Sequence, residues 1–414
     1  MRRLLPSLLS VLSVAAACTS GDGEPLSVGA IYPLSGTQGP GGVDEYQGVQ
    51  VAVDLVNEDG GVEGRAVQLV PLDVPSGDAA PAAINALDAQ GVELVLGSYG
   101  STISQPAATQ ARSRGMLFWE TGAVGEMTSE GGGSSFFRVS PSGAVLGRNA
   151  VTFIADRYAP VIGRDPAELR WAVTLVDDAY GRAVAQGALD ELERRGYPVA
   201  ATIAYDPREP YMRHVVRQLA AAEPDVLFAS AYLEDAIAMR REMVRRGVDV
   251  LAGIGTSSSY CMPEFGQRLG DEAVGLFASD KPDSGALDTD GLSAEAVELL
   301  ERADAAYRER FDTSMSAAAL AGFSGAWALL HHVLPDADTA TPAAVAEAAS
   351  RVDLPRGSLP NGSGLRFGAP GTATAGANLL AESVIWQWTE PGEHWVVWPD
   401  RYATYEVEAI DPLP

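Results

Sequence analysis

Two turns rich in glycine and hydroxyl side chains follow short apolar runs near the start of the chain. Residues 33–42 follow the apolar run 28–31, and residues 98–102, which include Ser101 and Thr102, follow the run 93–97. Glycine lets another molecule approach the backbone closely, and the N–H groups at the start of a helix attract anionic and polar groups. These residue types predict non-covalent binding of a small polar molecule.

The sequence lacks the motifs of several common catalytic sites. The first turn has no G-x-G-x-x-G, and the chain has neither a G-K-[ST] phosphate loop nor a G-x-S-x-G nucleophile turn. His331 and His332 are adjacent, so on a helix they point in different directions and do not have the spacing of metal ligands. We therefore expect a protein that is not an enzyme and that has no cofactor and no metal site. A secreted α/β enzyme remains the alternative.

The two turns lie in a regular alternation of strand and helix patterns. The predicted strands are 28–31, 67–72, 93–97 and 115–120, and the predicted helices between them are 48–57 and 79–89. This order and spacing predict parallel βαβ units. Open parallel sheets bind ligands beyond the carboxyl ends of their strands, where both polar turns would lie.

A second βα series repeats this architecture without repeating its sequence. It begins with a predicted strand at 170–176 and ends with one at 250–254; helices follow at 293–311 and 317–333, and a terminal hairpin is predicted at 383–388 and 394–398. A chain of 414 residues exceeds one average domain. We expect an α/β protein with two doubly wound parallel-sheet lobes.

The composition describes an ordinary globular protein with a strong negative charge. Hydrophobic residues make up 46% and charged residues 20%, and the formal net charge is −26. This charge disfavours nucleic-acid phosphates and anionic lipid surfaces as partners. Lys281 is the single lysine, so the other positive side chains are arginines.

The N-terminus has the pattern of a secretion signal. Met1-Arg2-Arg3 is basic, residues 4–14 are apolar but too short for a stable membrane span, and residues 15–18 read Ala-Ala-Ala-Cys. The last segment resembles a lipobox, in which a peptidase cuts before a cysteine that becomes lipidated. We predict a signal peptide at 1–17, a lipidated Cys18 and a flexible tether over 18–26. The alternative is an ordinary signal peptide that leaves Cys18 free.

A series of short strings resembles the type I periplasmic binding proteins. Within that group it is most similar to the branched-chain amino-acid and amide receptors of ABC importers. The strings cover nearly all of the mature chain in the family's order; they are PLSG (33–36), VDLVNEDGGVEGR (53–65), VELVLGS (92–98), YGSTISQPA (99–107), RVSP (138–141), DDAYG (177–181), ASAYLED (229–235) and GLFASD (275–280).

This resemblance implies two lobes joined by three hinge crossings. It places lobe 1 at 27–141 plus 281–377, and lobe 2 at 142–280 plus 378–414. The two lobes would close around a ligand in the cleft between them.

The resemblance also implies which residues bind the ligand. Ser101, with Thr102 beside it, matches the turn that contacts a ligand carboxylate; Ala123 and Val124 match a Gly-Ala-Thr turn in which Val124 now replaces the hydroxyl. From the second lobe, Tyr180 and Tyr232 match the side chains that cover the ligand, and Thr256 lies in the last cleft turn. For each of these residues, capping, packing or plain turn geometry is the alternative.

One departure from the family concerns the charge of the cleft. Similar amino-acid receptors carry a glutamate early in the turn at 255–261, where it pairs with the ligand ammonium, but here Gly255, Thr256 and serines occupy those positions. We therefore expect either that the ligand has no ammonium or that another carboxylate pairs with it. Glu120 is a candidate for that role, and a solvated charge at the strand end or an N-cap partner is the alternative.

Together, these features predict the function and location of the protein. We expect a lipid-anchored protein of the periplasm or cell surface that binds a branched-chain or other small amino acid. It would deliver this ligand to an ABC permease, and it would contact the membrane through its N-terminal lipid only. The alternatives are a receptor for a small amide, urea-like or carboxylate ligand, and a sensor that signals to a membrane partner.

Overall fold

The computed structural model describes residues 24–126, 133–206 and 212–410. The predicted signal peptide and Cys18 lie outside the described residues, as does most of the predicted tether.

The first sheet consists of five parallel strands in the order β2-β1-β3-β4-β5. The strands are β1 (Leu26–Tyr32), β2 (Val67–Asp73), β3 (Leu94–Gly97), β4 (Leu117–Glu120) and β5 (Phe136–Arg138). The short strands β3 and β4 are buried throughout, as expected for a sheet that helices cover on both faces.

The second sheet has seven strands in the order β12-β11-β10-β9-β8-β6-β7. Its strands are β6 (Trp171–Val176), β7 (Val199–Tyr205), β8 (Val226–Ser230), β9 (Ala252–Thr256), β10 (Phe277–Asp280), β11 (Val384–Glu390) and β12 (Glu393–Trp398). Strands β6 to β10 run parallel, and β11 and β12 form an antiparallel hairpin at one edge. The hairpin prediction is confirmed, whereas β10 was not predicted as a strand.

Helices connect the strands and flank both sheets. They are α1 (Gly39–Glu58), α2 (Ala80–Asp88), α3 (Ser101–Ser113), α4 (Gly143–Phe153), α5 (Ala159–Val161), α6 (Ala179–Arg195), α7 (Arg213–Ala222), α8 (Leu233–Arg246), α9 (Pro263–Leu269), α10 (Ala294–Phe311), α11 (Ala317–Trp327) and α12 (Pro342–Arg351). Sequence signals fix the ends of α6, because the Asp178 carboxylate accepts the N–H groups of Tyr180 and Gly181, and Gly196 ends the helix at φ 72°.

Helix α11 packs on α1 at a distance that only glycine permits. A Cβ added to Gly48 would lie 1.9 Å from the Ala319 carbonyl oxygen, and one added to Gly322 would lie 2.0 Å from the Glu45 carbonyl oxygen. The segment Ala317–Asp336 is long and apolar enough to cross a membrane, but most of it is buried. It is therefore a core helix that joins the later part of the chain to the first lobe.

The chain passes between the two sheets three times. It leaves the first sheet after β5 and returns after β10 to form α10 and α11, and it enters the second sheet again at β11. At the last crossing the Asn378 side chain donates to the carbonyl oxygens of Val139 and Gly364, which ties it to the first crossing. The prediction of two parallel-sheet α/β lobes is confirmed.

Candidate functional site

Turns from the two lobes meet at the carboxyl ends of the parallel strands. The Tyr99 hydroxyl, after β3, donates to Ser258 Oγ, after β9, over 3.1 Å. Gln38 Nε2, just before α1, lies 3.4 Å from the hydroxyl of Tyr232, just before α8. These two side-chain pairs cross from one lobe to the other, so they define the interlobe cleft.

Ser101 and Thr102 both use their hydroxyls within this cleft. Ser101 Oγ accepts the Gly125 N–H at 2.9 Å, and Thr102 Oγ1 accepts from Gln38 Nε2 at 3.2 Å. A Cβ on Gly125 would lie only 3.7 Å from the Ala179 carbonyl oxygen of the second lobe. Ser101 therefore holds a turn that faces the start of α6.

The Glu120 carboxylate is engaged by the turns of its own lobe. Its Oε1 accepts the N–H groups of Ser98, Gly122 and Ala123 at 2.7–2.9 Å, and its Oε2 accepts the hydroxyls of Ser98 and Ser104. Burial raises its pKa, and the surrounding donors, Ser104 first, only partly offset this rise. Five donors fill the acceptor capacity of a carboxylate, so this geometry favours a structural role for Glu120 over ligand binding, and a solvated strand-end charge is wrong because Glu120 is fully buried. The Ala123 N–H is also committed to Glu120.

Val124 contributes a buried apolar side chain to the same turn. It is packed in the hydrophobic core, and its carbonyl oxygen accepts the Gly143 N–H at 2.6 Å. The turn that follows β4 is thus fixed to the start of α4, at the first crossing between the lobes.

Tyr180, Tyr232 and Thr256 form one group in the second lobe. The Tyr180 hydroxyl lies 3.0 Å from Thr256 Oγ1 and donates to the Ser257 carbonyl oxygen. The rings of Tyr180 and Tyr232 lie 5.4 Å apart, and the Tyr232 hydroxyl donates to Asp178 Oδ2 at 2.7 Å. The three predicted residues therefore lie together on the second lobe's side of the cleft.

Tyr99 is a cleft residue that the sequence analysis did not single out. Its backbone has φ 64°, in the left-handed region, and its side chain is buried. The ring packs on Gly41, where an added Cβ would lie 2.2 Å from the phenol ring. The available signal was its place in the turn 98–102 together with the glycine run at 39–42.

Lys281 and Asp280 form a buried ion pair at the second crossing. Their Nζ and Oδ1 atoms lie 3.3 Å apart, and both side chains are 3% exposed. Lys281 Nζ also donates to Ser257 Oγ at 3.2 Å and to the Gly122 carbonyl oxygen at 3.4 Å. Burial lowers the pKa of Lys281, but Asp280 and Glu45 outweigh it, so the net pKa is raised and the ammonium stays charged.

Glu45 brings a second carboxylate to this region from α1. It is fully buried, its Oε1 accepts from Thr121 Oγ1 at 2.6 Å, and its Oε2 lies 1.7 Å from where a Cβ on Gly122 would be. Burial, and then the charge of Glu120, raise its pKa to about 8. Neither Glu45 nor Asp280 was predicted as a site residue, because Glu45 lies outside the strings of the family resemblance and Asp280 ends one of them, GLFASD, without an assigned binding role.

Two small cavities flank Tyr99 within the cleft. One of about 50 Å³ is lined by Gln38, Gly41, Tyr99, Tyr232, Ser258 and Met262. The other, of about 20 Å³, is lined by Asp44, Tyr99, Ser257, Ser258, Cys261, Asp280 and Lys281, among others. A larger groove of about 580 Å³ opens outside the strand-end turns, near Asp283, Tyr307 and Trp395. We place the site at the two small cavities, because the predicted polar turns converge there.

Comparison with known proteins identifies the family. Residues 25–380 match the family model described as periplasmic binding protein, so the chain belongs to that family. Its members are solute-binding proteins, which places this chain outside the cytoplasm.

Curated relatives align along almost their whole length. The chain is 25% identical over 405 residues to the Leu/Ile/Val-binding protein homolog 8 of Brucella suis, covering 97% of each protein. It is 25% identical over 412 residues to homolog 7 of Brucella abortus, covering 98% of each.

Solved structures share the fold at lower identity. The substrate-binding protein LivJ of Streptococcus pneumoniae, in complex with isoleucine, has a TM-score of 0.72 and 18% identity, with 91% of this chain and 100% of that chain covered. A solute-binding protein of R. palustris in complex with benzoate has a TM-score of 0.73 and 17% identity, with 93% and 99% covered. The same fold therefore binds both an amino acid and an aromatic carboxylate.

Proposed function

We propose that this protein is an extracytoplasmic receptor that binds a small polar ligand between its lobes and delivers it to an ABC importer. The observation that carries the proposal is the interlobe contact between Tyr99 and Ser258 at the carboxyl ends of β3 and β9. Ligands of open parallel sheets bind at such ends. A ligand that contacts both lobes would favour their closed arrangement, because it binds that arrangement more tightly than the open one.

The favoured ligand class is a branched-chain or other small amino acid, with a small amide or carboxylate as the second candidate. The names of the Brucella relatives support the first class. The benzoate complex of the R. palustris protein, Val124 in place of a hydroxyl and the missing glutamate at 255–261 support the second.

A thermal-shift screen followed by calorimetry tests the binding function. Leucine, isoleucine, alanine, acetamide and benzoate are the first compounds, because a ligand that binds only the folded state raises the melting temperature. Native mass spectrometry of the purified protein should in addition find a bound small molecule. The absence of any saturable binder would contradict the proposal.

Delivery to a permease needs its own test, since a sensor would use the same lobes. Pull-down from detergent-solubilised membranes in the presence of a binding compound should recover an ABC permease. Recovery of a signalling protein instead would favour the sensor.

We also propose that Cys18 carries a lipid and that the lobes are 27–141 plus 281–377 and 142–280 plus 378–414. A palmitate analogue should label the wild type but not the Cys18→Ser variant, and equal labelling of both would contradict lipidation. Small-angle scattering with and without a binding compound should show closure about the three crossings.

A further inference from the structure

A cavity of about 390 Å³ lies beside the first and third crossings between the lobes. It shares no lining residue with the two small cavities beside Tyr99, so it is separate from the cleft site. A volume of this size accommodates a small organic molecule. We call it the crossing cavity, and its charged lining residues are Glu126, Arg138, Arg148, Arg356, Glu382 and Arg401.

The charge of the crossing cavity is positive, whereas the chain as a whole is strongly negative. Four arginines and two glutamates line the cavity, while the formal net charge of the chain is −26. When all six side chains are ionised, the lining carries two more positive charges than negative ones. A concave surface with such an excess attracts anions.

Arg138 brings a buried guanidinium to this cavity. Arg138 is 4% exposed, its Nη1 donates to the Gly125 carbonyl oxygen at 2.6 Å, and its Nε has no acceptor among the residues that the structure describes. Burial lowers the pKa of Arg138, and the charges of Glu126 and Glu120 only partly oppose this effect. Arginine nevertheless stays protonated in proteins. A buried charge without an ionic partner is strongly unfavourable, so this guanidinium lacks an anion.

The two glutamates of the lining do not supply that anion. Glu382 is engaged elsewhere, because Arg356 and Arg401 each form an ion pair with it. Glu126 is exposed and attracts Arg138 without forming an ion pair within the described part of the chain.

A second arginine of the lining has the same need. Arg148 lies exposed on α4 and forms no ion pair with the residues in the described ranges. Arg138 and Arg148 therefore remain as two positive charges at the cavity that no carboxylate of the described chain neutralises by direct contact.

Hydroxyl groups next to these arginines add neutral donors. Ser383 lines the cavity and is 3% exposed. Its Oγ accepts from Asn149 Nδ2 at 2.7 Å, which leaves its own proton free to be donated. Ser142, at the N-terminus of α4, lines the same cavity. Hydroxyls and arginines together are the donors that carboxylate and phosphate oxygens accept.

We propose that the crossing cavity is a second binding site, which takes a small anion with carboxylate or phosphate-type oxygens and uses Arg138 and Arg148 as its charged partners. The planar guanidinium presents paired N–H donors that match such oxyanions. Arg138 ends β5 of the first sheet, and Arg148 lies on α4, which packs on α6. The bound anion would thus contact elements on both sides of the first crossing. The site is independent of the proposed cleft ligand.

Titration calorimetry with inorganic phosphate, sulfate and succinate tests the wild type. The buffer is held at pH 7.5 and constant ionic strength with chloride. We expect saturable one-to-one binding of at least one anion with a dissociation constant below about 1 mM, and a higher melting temperature in its presence. Tighter binding of phosphate or sulfate would assign the site to an inorganic oxyanion, and tighter binding of succinate to an organic acid. If none of the three binds saturably, the inference is wrong.

Three variants locate the bound anion. Arg138→Gln should weaken binding at least tenfold, and Arg148→Gln should weaken it at least fivefold. Arg217→Gln is the control, because Arg217 is an exposed arginine of α7 that does not line the cavity; it should change the affinity less than twofold.

A folding check keeps this test decisive. Arg148 is exposed, so its variant should keep the ligand-free melting temperature of the wild type and decides the question even if Arg138→Gln fails to fold. Unchanged anion affinity in Arg148→Gln would overturn the inference. An equal loss of affinity in Arg217→Gln would overturn it as well, because it would show attraction by overall charge instead of a site.

Discussion

Replacement of Glu120 by glutamine should destabilise the protein by about 3 kcal/mol. The glutamine amide can still accept the N–H groups of Ser98, Gly122 and Ala123 through its oxygen, and its nitrogen can donate to Ser104 Oγ. The Oε2 position becomes a donor, so the hydroxyls of Ser98 and Ser104 lose the acceptor that they bond in the wild type, and each loss costs roughly 1.5 kcal/mol. This loss is a large part of the stability of a typical protein.

Urea unfolding of the ligand-free protein at pH 8 measures this change. Glu93→Gln is the matched control, because Glu93 is exposed next to β3 of the same sheet, and it should change the unfolding free energy by less than about 0.5 kcal/mol. The reasoning would be refuted if Glu120→Gln kept wild-type stability and lost affinity for amino acids. That outcome would instead make Glu120 the partner of a ligand ammonium.

Three further predictions concern the cleft, the helix packing and pH. Tyr99→Phe removes the hydroxyl that donates to Ser258 across the lobes. Calorimetry should therefore show about fivefold weaker binding of the compound that binds the wild type most tightly, while the stability of the ligand-free protein stays unchanged. A large loss of that stability would contradict an interlobe role. Gly48→Ala brings a Cβ within 1.9 Å of the Ala319 carbonyl oxygen, so the unfolding free energy should fall by more than about 2 kcal/mol. Wild-type stability of this variant would refute the close packing of α1 on α11. Burial raises the pKa of Asp235 to about 6, so its protonated form stabilises the fold below pH 4 and this contribution is lost as pH rises through 6. Relative to Asp235→Asn, the wild type should lose about 2 kcal/mol of unfolding free energy between pH 4 and 7 in urea titrations. An equal change in both proteins between the two pH values would contradict this.

The alternation of strands and helices could be predicted from the sequence because each element has its own local signals. Buried parallel strands are short apolar runs, and turn residues separate them from amphipathic helices. The edge hairpin at β11 and β12 was predicted for the same reason. Local patterns of this kind do not depend on which distant segment an element contacts.

Features that depend on distant contacts could not be predicted in the same way. The glycine run at 39–42 has the composition of a loop, yet it begins α1, which packs on α11 from far along the chain. The four-residue strand β10 becomes a strand through pairing with β9 and β11.

The same limit applies to the candidate site. The turns 98–102 and 255–261 could be predicted to lie at the cleft, because each follows a parallel strand and open parallel sheets bind ligands beyond the carboxyl ends of their strands. The hydrogen bonds of the Glu120 and Glu45 carboxylates join groups up to 76 positions apart. Such partners become visible only when the chain is folded.

The burial of Lys281 between the lobes makes this side chain a natural reporter of opening. It belongs to the single lysine of the chain and is 3% exposed. Amine-directed acylation at this side chain therefore requires solvent to enter between the lobes. The rate at which acylated Lys281 appears in peptide mass spectra would report how often the cleft opens, without an engineered label, and a bound ligand that holds the lobes together would slow that rate.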